Sequence, residues 1–126
     1  MTIDFDALFC EDIRQEANGK FILVGVFAGS LLLASLPATI RLGALVRIWN
    51  LPAGAHQMSL RIFGEHLTEV KIDGDFENTI DNETIALAIP PAAIQIGAPT
   101  AIMIEGKIDD ITFSARHYLS VQKQPA

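Results

Sequence analysis

Residues 21–40 read FILVGVFAGSLLLASLPATI, a run of twenty residues without a charge, between Lys20 and Arg41. A run of this length can cross a bilayer, so its interpretation decides the fold class of the chain. Its composition argues against a membrane span, because two glycines, two serines and Pro37 interrupt it and would break a helix. Its flanks carry single cations rather than the basic cluster that orients a membrane helix. We therefore interpret the run as part of a β-structure and expect no contact with a membrane.

Two buried strands explain the uncharged run. The first is Lys20 to Phe27, a turn follows at Ala28-Gly29-Ser30, and a short apolar segment runs from Leu31 to Leu36 before Pro37 closes it. The first strand is apolar on both faces, which predicts a central position or cover on both sides. If that second face or the leucine segment lies at the surface instead, the exposed patch marks an interface. Our candidate interface residues are Leu31, Leu32, Leu33 and Trp49.

Composition limits the classes of protein that the chain can belong to. Its 126 residues predict one domain, 1–126, and a hydrophobic fraction of 50% with 19% charged residues excludes disorder. The net charge of −6 argues against nucleic acid and anionic membrane surfaces as partners. The single cysteine, Cys10, excludes an internal disulfide. The first twenty residues are acidic and lack the basic region of a secretory signal, so we expect a cytoplasmic protein.

Alternation of apolar and polar residues with period two recurs along the whole chain and is typical of strands. Asn18-Gly19 predicts a tight hairpin turn, in which both residues need positive φ. Asp109-Asp110 predicts the tip of a second hairpin, and Asp73-Gly74-Asp75 predicts a loop. We expect Pro90-Pro91 to end a strand, and the only helical candidates, Leu31 to Leu36 and Ala92 to Ile94, are short. The regular spacing predicts an all-β fold, a two-sheet antiparallel β-sandwich of immunoglobulin-like or C2-like type with about eight strands. In it, the segment 111–121 is one long strand.

An acidic segment over residues 73–83 is the densest group of oxygen ligands in the sequence. Calcium prefers six to eight hard oxygen ligands from a flexible loop. The segment does not match an EF-hand, because Asn78 stands where that loop has Gly and Thr84 where it has its bidentate Glu. The other interpretation is a solvated acidic loop that keeps neighbouring sheet edges from pairing. The candidate calcium ligands are Asp73, Asp75, Glu77 and Asp81.

Other reactive residue types show no pattern typical of catalysis. His56, His66 and His117 lack metal-ligand spacing, and we expect His117 to bond a backbone group in the core. Acidic neighbours should raise the pKa of Cys10, which we interpret as a small buried apolar side chain. No nucleophile motif or phosphate-binding loop occurs, so we expect neither an enzyme nor a cofactor. Trp49, with Tyr118, is either a stacking platform for a ligand or, as we favour, a core residue.

The N-terminal block carries a recognisable order of residues. Residues 9–16 read FCEDIRQE, Asn18-Gly19-Lys20 follows, and residues 22–27 read ILVGVF. This block resembles the N-terminal signature of an uncharacterised bacterial family, a domain of unknown function, whose members have Cys-Asp-Asp-x-Arg-x-Glu, then Gly-Lys, then an apolar strand with Gly followed by Tyr or Phe. Glu11 and Phe27 are conservative variants of that signature. The resemblance covers the first thirty residues, implies a small β-sandwich and assigns no activity.

The same block has a structural interpretation from its charges. Arg14 and Lys20 face several carboxylates across the predicted hairpin, so cross-strand ion pairs could fix its register.

The sequence leaves three hypotheses for function. The leading one is a non-catalytic structural or protein-interaction domain that self-associates as a homo-oligomer or docks on another protein. The second is a module that binds calcium or a small ligand through the acidic segment 73–83. The third is an enzyme that uses loop carboxylates in a concave pocket.

Overall fold

The computed structural model describes residues 3–114 and 118–125. The protein is all-β, with 73% of its described residues in strands. The ten strands are β1 (Asp4–Gln15), β2 (Phe21–Val26), β3 (Ser30–Leu33), β4 (Ala38–Leu51), β5 (Gly54–Phe63), β6 (Val70–Asn78), β7 (Glu83–Ile96), β8 (Thr100–Ile108), β9 (Ile111–Ser114) and β10 (Leu119–Lys123). The part of the chain that the structure describes contains no helix able to span a membrane.

The strands form two open sheets that pack together. The first sheet has four strands in the order β2-β1-β4-β7, and the second has the order β3-β10-β8-β5-β6 with β9 also pairing to β8. The pairs are antiparallel except that of β3 with β10, which is parallel. The predicted two-sheet sandwich is confirmed as a class, with ten strands rather than eight. The immunoglobulin-like or C2-like type stays a prediction.

The core lies between the two sheets and follows the predicted alternation. In β4, Leu42, Ala44, Val46 and Ile48 are fully buried, whereas Arg47 points outward and is exposed. The opposing sheet contributes an equivalent row of isoleucines from β8. Burying a branched side chain of this size contributes roughly 1.5–3 kcal/mol, so these rows drive the packing of the two sheets.

The uncharged run is divided between the sheets. Its first part is β2, at the edge of the four-stranded sheet, and its second part is β3, at the edge of the other sheet. The chain crosses between them at residues 27–29, where the Phe27 N–H donates to the Phe9 carbonyl and the Gly29 carbonyl accepts from Ser120. The prediction that β2 is central or covered on both sides is therefore wrong. The apolar composition of a strand does not show whether another part of the same chain covers it.

The two prolines that we expected to end a strand lie inside β7 instead. Pro90 and Pro91 fall at a register shift, where the pairing with β4 passes from Leu42–Ala92 to Ala44–Ile89. Because β7 is an edge strand with an irregular pairing there, the missing N–H groups of the prolines leave the rest of the ladder intact. The short helix proposed for Ala92 to Ile94 is consequently strand.

The predicted long strand over residues 111–121 is described in two parts, β9 and the start of β10, and residues 115–117 between them lie outside the described residues. Both strands pair with β8, but in different registers. Phe113, Leu119 and Val121 face the core as the alternation predicts, whereas Ile111 is exposed. His117, which we expected in the core, lies outside the described residues.

Candidate functional site

The distal part of the β1–β2 hairpin is not paired with the neighbouring strand β4. β1 pairs with β4 from Asp4 to Cys10, whereas the pairing recorded for Asp12 to Gln15 is with β2 alone. Ile13, Phe21 and Leu23 on this distal part are only half-buried. The distal hairpin is therefore held mainly by its own two strands.

The turn of this hairpin is where the sequence predicts it, but its geometry is different. Only Gly19 has a positive φ, 87°, whereas the tight turn that we expected needs positive φ at Asn18 as well. The turn is closed by the Glu16 N–H, which donates to the Lys20 carbonyl at 2.7 Å. The Asn18 side-chain oxygen accepts from the Lys20 N–H at 3.2 Å. These bonds are local and exposed, so they fix the turn without anchoring it to the sandwich.

The outer face of β2 is apolar and exposed. Ile22, Val24 and Val26 are 44%, 48% and 48% exposed, and none of the six residues of β2 carries a charge. Within the described residues β2 pairs only with β1, so its other edge presents free backbone N–H and C=O groups. We call this surface, Phe21–Val26 with its open backbone edge, the β2 edge. The sequence analysis predicts an interface where an apolar strand face is exposed, and the β2 edge has such a face.

Gly25 and Glu11 interrupt the β1–β2 ladder. The recorded pairs pass from Asp12–Val24 to Cys10–Val26, and Gly25 has a φ of 65°. A Cβ atom at Gly25 would lie 2.7 Å from the Glu11 Oε1, so the Glu11 side chain lies directly over the glycine. Two residues of the N-terminal signature are thus in contact. Glycine suits the position because it adopts positive φ without steric cost.

The charges of the hairpin are arranged differently from the prediction. Asp12 pairs with Arg14 of its own strand at 3.1 Å and approaches Arg41 of β4 at 3.8 Å. The hydrogen bond from Arg14 is the main cause that lowers the pKa of Asp12. The prediction that Arg14 pairs across the hairpin is therefore wrong. Cys10 is fully buried, and this burial, followed by the charge of Asp12, raises its pKa as expected.

A second group of polar side chains lies at one end of the sandwich, around His56. Its Nδ1 lies 2.8 Å from a carboxylate oxygen of Asp109, and its Nε2 lies 2.8 Å from the Pro52 carbonyl oxygen. A carboxylate and a carbonyl can only accept, so both ring nitrogens must donate, and we infer that His56 is an imidazolium. Its pKa is raised, first by the hydrogen bond to Asp109 and then by the one to Pro52. His56 is buried, at 8% exposure, and it joins the loop after β4 to the turn after β8.

Asn78, the last residue of β6, completes this end of the sandwich. It is 3% exposed, and its Nδ2 group lies 3.0, 3.3 and 3.0 Å from the carbonyl oxygens of Leu51, Pro52 and Ile80. Asp81, one of the candidate calcium ligands, accepts from the Ala53 N–H at 2.8 Å. We call His56, Asn78, Asp81 and Asp109 the polar lock. The sequence offers no signal for it, because its members are far apart in the chain.

The acidic residues lie in a strand rather than in the predicted loop. Asp73, Asp75 and Glu77 share the outer face of β6, opposite Ser59, Gln57 and Ala55 of β5. All three are exposed, and Asp81 is part of the polar lock instead. Among residues 3–114 and 118–125, no three metal-binding side chains are close enough to hold an ion. The calcium site stays a prediction without geometric support, and the placement favours a charged edge that resists pairing.

The remaining candidate interface residues do not form one surface. Leu31 and Leu33 pack against the core, and Leu32 is 52% exposed. Trp49 is half-buried on the outer face of β4 with the Arg47 guanidinium 4.9 Å from its ring, so the expectation of a core tryptophan is wrong. Tyr118 is exposed beside an apolar groove of about 310 Å³ on the β1 side.

Comparison with known proteins adds no identity: no protein-family model matches the chain, and no curated protein is significantly similar to it. The functional assignment therefore depends on the geometry above. The exposed residues that sequence reasoning missed are Ile22, Val24 and Val26. Their signal was present as an uncharged strand apolar on both faces, but sequence alone suggested that the chain itself covers it.

Proposed function

We propose that this chain is a non-catalytic protein-interaction domain that self-associates through the β2 edge. The observation that carries the proposal is an uncharged edge strand with three branched side chains, Ile22, Val24 and Val26, exposed on one face. Apolar surface of this kind gains roughly 25 cal/mol for each Å² that is removed from water. Covering the β2 edge by a second copy is therefore favourable.

The surroundings of the β2 edge support the same function. Asp12 and Arg14 lie next to the exposed side chains on β1 and are already paired with each other. An apolar centre beside a polar rim is the usual composition of a protein–protein interface. The paired charges at the rim keep the hairpin soluble while the centre remains available.

The chemistry of the polar lock supports a non-catalytic role. A general base needs a ring nitrogen that can accept a proton from a substrate. Both nitrogens of His56 donate to fixed acceptors, Asp109 and the Pro52 carbonyl, so neither is available. The histidine holds two loops together instead. The calcium-binding alternative from the sequence is favoured by no comparable observation.

Light scattering coupled to size-exclusion chromatography, over a hundredfold range of concentration, tests this function. We expect an oligomer whose population rises with concentration. Ile22→Lys places a charge on the β2 edge and should abolish the oligomer. Ile111→Lys is the matched control, because Ile111 is 52% exposed on β9, away from the β2 edge, and should leave association unchanged.

A monomer at every concentration would contradict self-association. Equal loss of the oligomer in both variants would show that the β2 edge is not the contact surface.

A further inference from the structure

We propose that two copies pair antiparallel through their β2 edges about a two-fold axis, with Leu23 opposite Leu23 of the second copy. This inference rests on the proposed function and specifies its geometry. The two four-stranded sheets would then form one continuous eight-stranded sheet. Backbone hydrogen bonds would satisfy the free N–H and C=O groups of both β2 edges.

Five strands in the described residues pair with a single neighbour, and they differ in how they resist further pairing. β6 carries Asp73, Asp75 and Glu77, and β3 and β9 are only four residues long. β7 contains Pro90-Pro91, and its end is covered by a bridge from Leu67 to Ile96. Charges, short strands, prolines and cover are the usual means by which proteins protect an edge. β2 has no charge, no proline and no cover among the described residues, although Gly25 limits its regular part to Phe21–Val24.

The uncharged composition of β2 lets a second copy fit this edge, because the centre of the pair then contains no charged side chain. The chain has a net charge of −6, so two copies repel at long range and can approach closely only where charge is absent. The β2 edge is such a place, and in a two-fold pair it meets an identical uncharged strand. A partner with a basic surface would instead be drawn to the carboxylates of β6.

Symmetry restricts the register of the pair. A two-fold axis that places antiparallel strands side by side in one sheet is perpendicular to that sheet, so outer face meets outer face. Residues directly opposite must then come from the same face, because a slip by one residue exchanges the faces. The three central registers allowed place Ile22, Leu23 or Val24 opposite itself.

The Leu23-centred register fits the side chains best. It places Ile22 opposite Val24 of the second copy on the outer face, and Phe21 opposite Gly25, where a large ring meets a residue without a side chain. The Ile22-centred register would instead place Lys20 opposite Val24. The Val24-centred register would extend the pairing past the interruption at Gly25.

The proposed contact buries a small area, so the dimer should be weak. Five residues per copy cover much less than the roughly 800 Å² per partner of a standard stable interface. The dimer should therefore dissociate on dilution, and its population should follow mass action across the concentration series.

Disulfide formation in variants with one cysteine added to the buried Cys10 tests the register. Directly opposite residues in an antiparallel pair have Cα atoms about 4.5–5.5 Å apart, within the range that a disulfide spans. Leu23→Cys should form a covalent dimer under mild oxidation. Ile22→Cys and Val24→Cys, whose own copies are not opposite in this register, should not. The wild-type chain is the control, because its Cys10 is fully buried.

Amide hydrogen exchange of the wild-type chain gives a measurement that needs no substitution. Exchange in β2 should slow as concentration rises, whereas exchange in β6 should not change. Dominant crosslinking through Ile22→Cys or Val24→Cys would overturn the Leu23 register. An oligomer with no crosslink and no protection of β2 would overturn edge pairing while leaving self-association intact, and a monomer throughout would remove both.

Discussion

The strands β2 and β6 both lie at the edge of a sheet, but they differ in the charge of their side chains. Each is an edge strand that pairs with a single neighbour in the described part of the chain. β2 has no charged residue among six, whereas β6 has four, Lys71, Asp73, Asp75 and Glu77, among nine. Unpaired edges invite association, and charges on them prevent it. The difference indicates that one edge is protected and the other is available.

The two strands also differ in how they are anchored. β6 ends in Asn78, whose buried amide binds carbonyls of two loops, and its residue Phe76 contacts the His56 ring. β2 begins at an exposed turn held by local bonds. The protected edge is therefore fixed to the sandwich, and the available edge lies on a hairpin whose distal part is paired with no third strand among the described residues. The predictions below test this contrast.

The largest effect should come from the amides at the two strand ends. Asn78→Ala removes the hydrogen bonds of a buried amide to three carbonyls, each worth roughly 0.5–1.5 kcal/mol, and should lower the free energy of unfolding by about 2–4 kcal/mol. Asn18→Ala, at the exposed turn before β2, should cost less than about 1 kcal/mol. Urea denaturation of both variants measures the difference. Equal costs would show that the β6 end is no better anchored than the hairpin.

The next largest effect should be a pH dependence of the free energy of unfolding, which arises at the polar lock and not at the β2 hairpin. The pKa of His56 is raised in the folded state above its ordinary value of 6.5. The imidazolium therefore stabilises the fold fully below about pH 6.5, and this contribution is lost as pH rises through the folded-state pKa. A hydrogen bond to a charged group of this kind is worth about 1.5–3 kcal/mol.

Unfolding free energies measured from pH 5.5 to 9 test this prediction. His56→Gln should remove the fall in stability with rising pH. His66→Asn should retain it, because His66 is exposed and has a φ of 59°, which Asn tolerates. A fall that persists in His56→Gln would mean that another group is responsible.

A third prediction converts the protected edge into an available one. Asp73→Val with Asp75→Val removes two charges from β6 and should strengthen self-association about tenfold, or about 1.4 kcal/mol. Glu65→Val with Asp110→Val is the control, since it makes the same change of net charge at exposed turn residues outside the strands. Sedimentation equilibrium measures both. If the control associates as strongly, net charge rather than the edge governs association.

The smallest effect compares a glycine on each edge. Gly25→Ala places a side chain at a φ of 65° against Glu11 and should cost about 1 kcal/mol. Gly74→Ala, in β6, meets nothing within 4 Å and should leave stability unchanged or raise it by up to about 1 kcal/mol. Thermal unfolding distinguishes the signs. A neutral Gly25→Ala would mean that the interruption in β2 relaxes without strain.

The sequence predicted well what depends on local periodicity. The alternation of Leu42, Ala44, Val46 and Ile48 correctly assigned the buried face of β4, because each strand residue has a fixed side. The hairpin turns at Asn18-Gly19 and Asp109-Asp110 were also correctly placed. Their turn geometry was predicted less well, because it depends on bonds such as that between Glu16 and Lys20.

The candidate site was predicted only in part. The conditional interpretation of the uncharged run, that an exposed face marks an interface, included the strand that proved to be exposed, but the residues named were Leu31 to Leu33, two of which pack inward. The interface itself stays a proposal. The hydrophobic pattern of a sequence cannot distinguish a strand that its own chain covers from one whose apolar face is left exposed, because both are apolar on two faces. The contact between His56 and Asp109 in the polar lock could not be predicted, since no pattern in the sequence relates residues that are far apart in the chain.

By itself, the sequence determined that this chain folds as two β-sheets, where most strands lie and which faces form the core. It could do so because strand periodicity, turn residues and apolar burial act over a few residues. Only the tertiary structure decided which strands are edges, that Asp73, Asp75 and Glu77 lie on one of them, and that His56 is placed between two hydrogen-bond acceptors. Strand order and the contacts between distant side chains depend on how the whole chain folds. The position of β2 at an exposed edge is a result of that strand order.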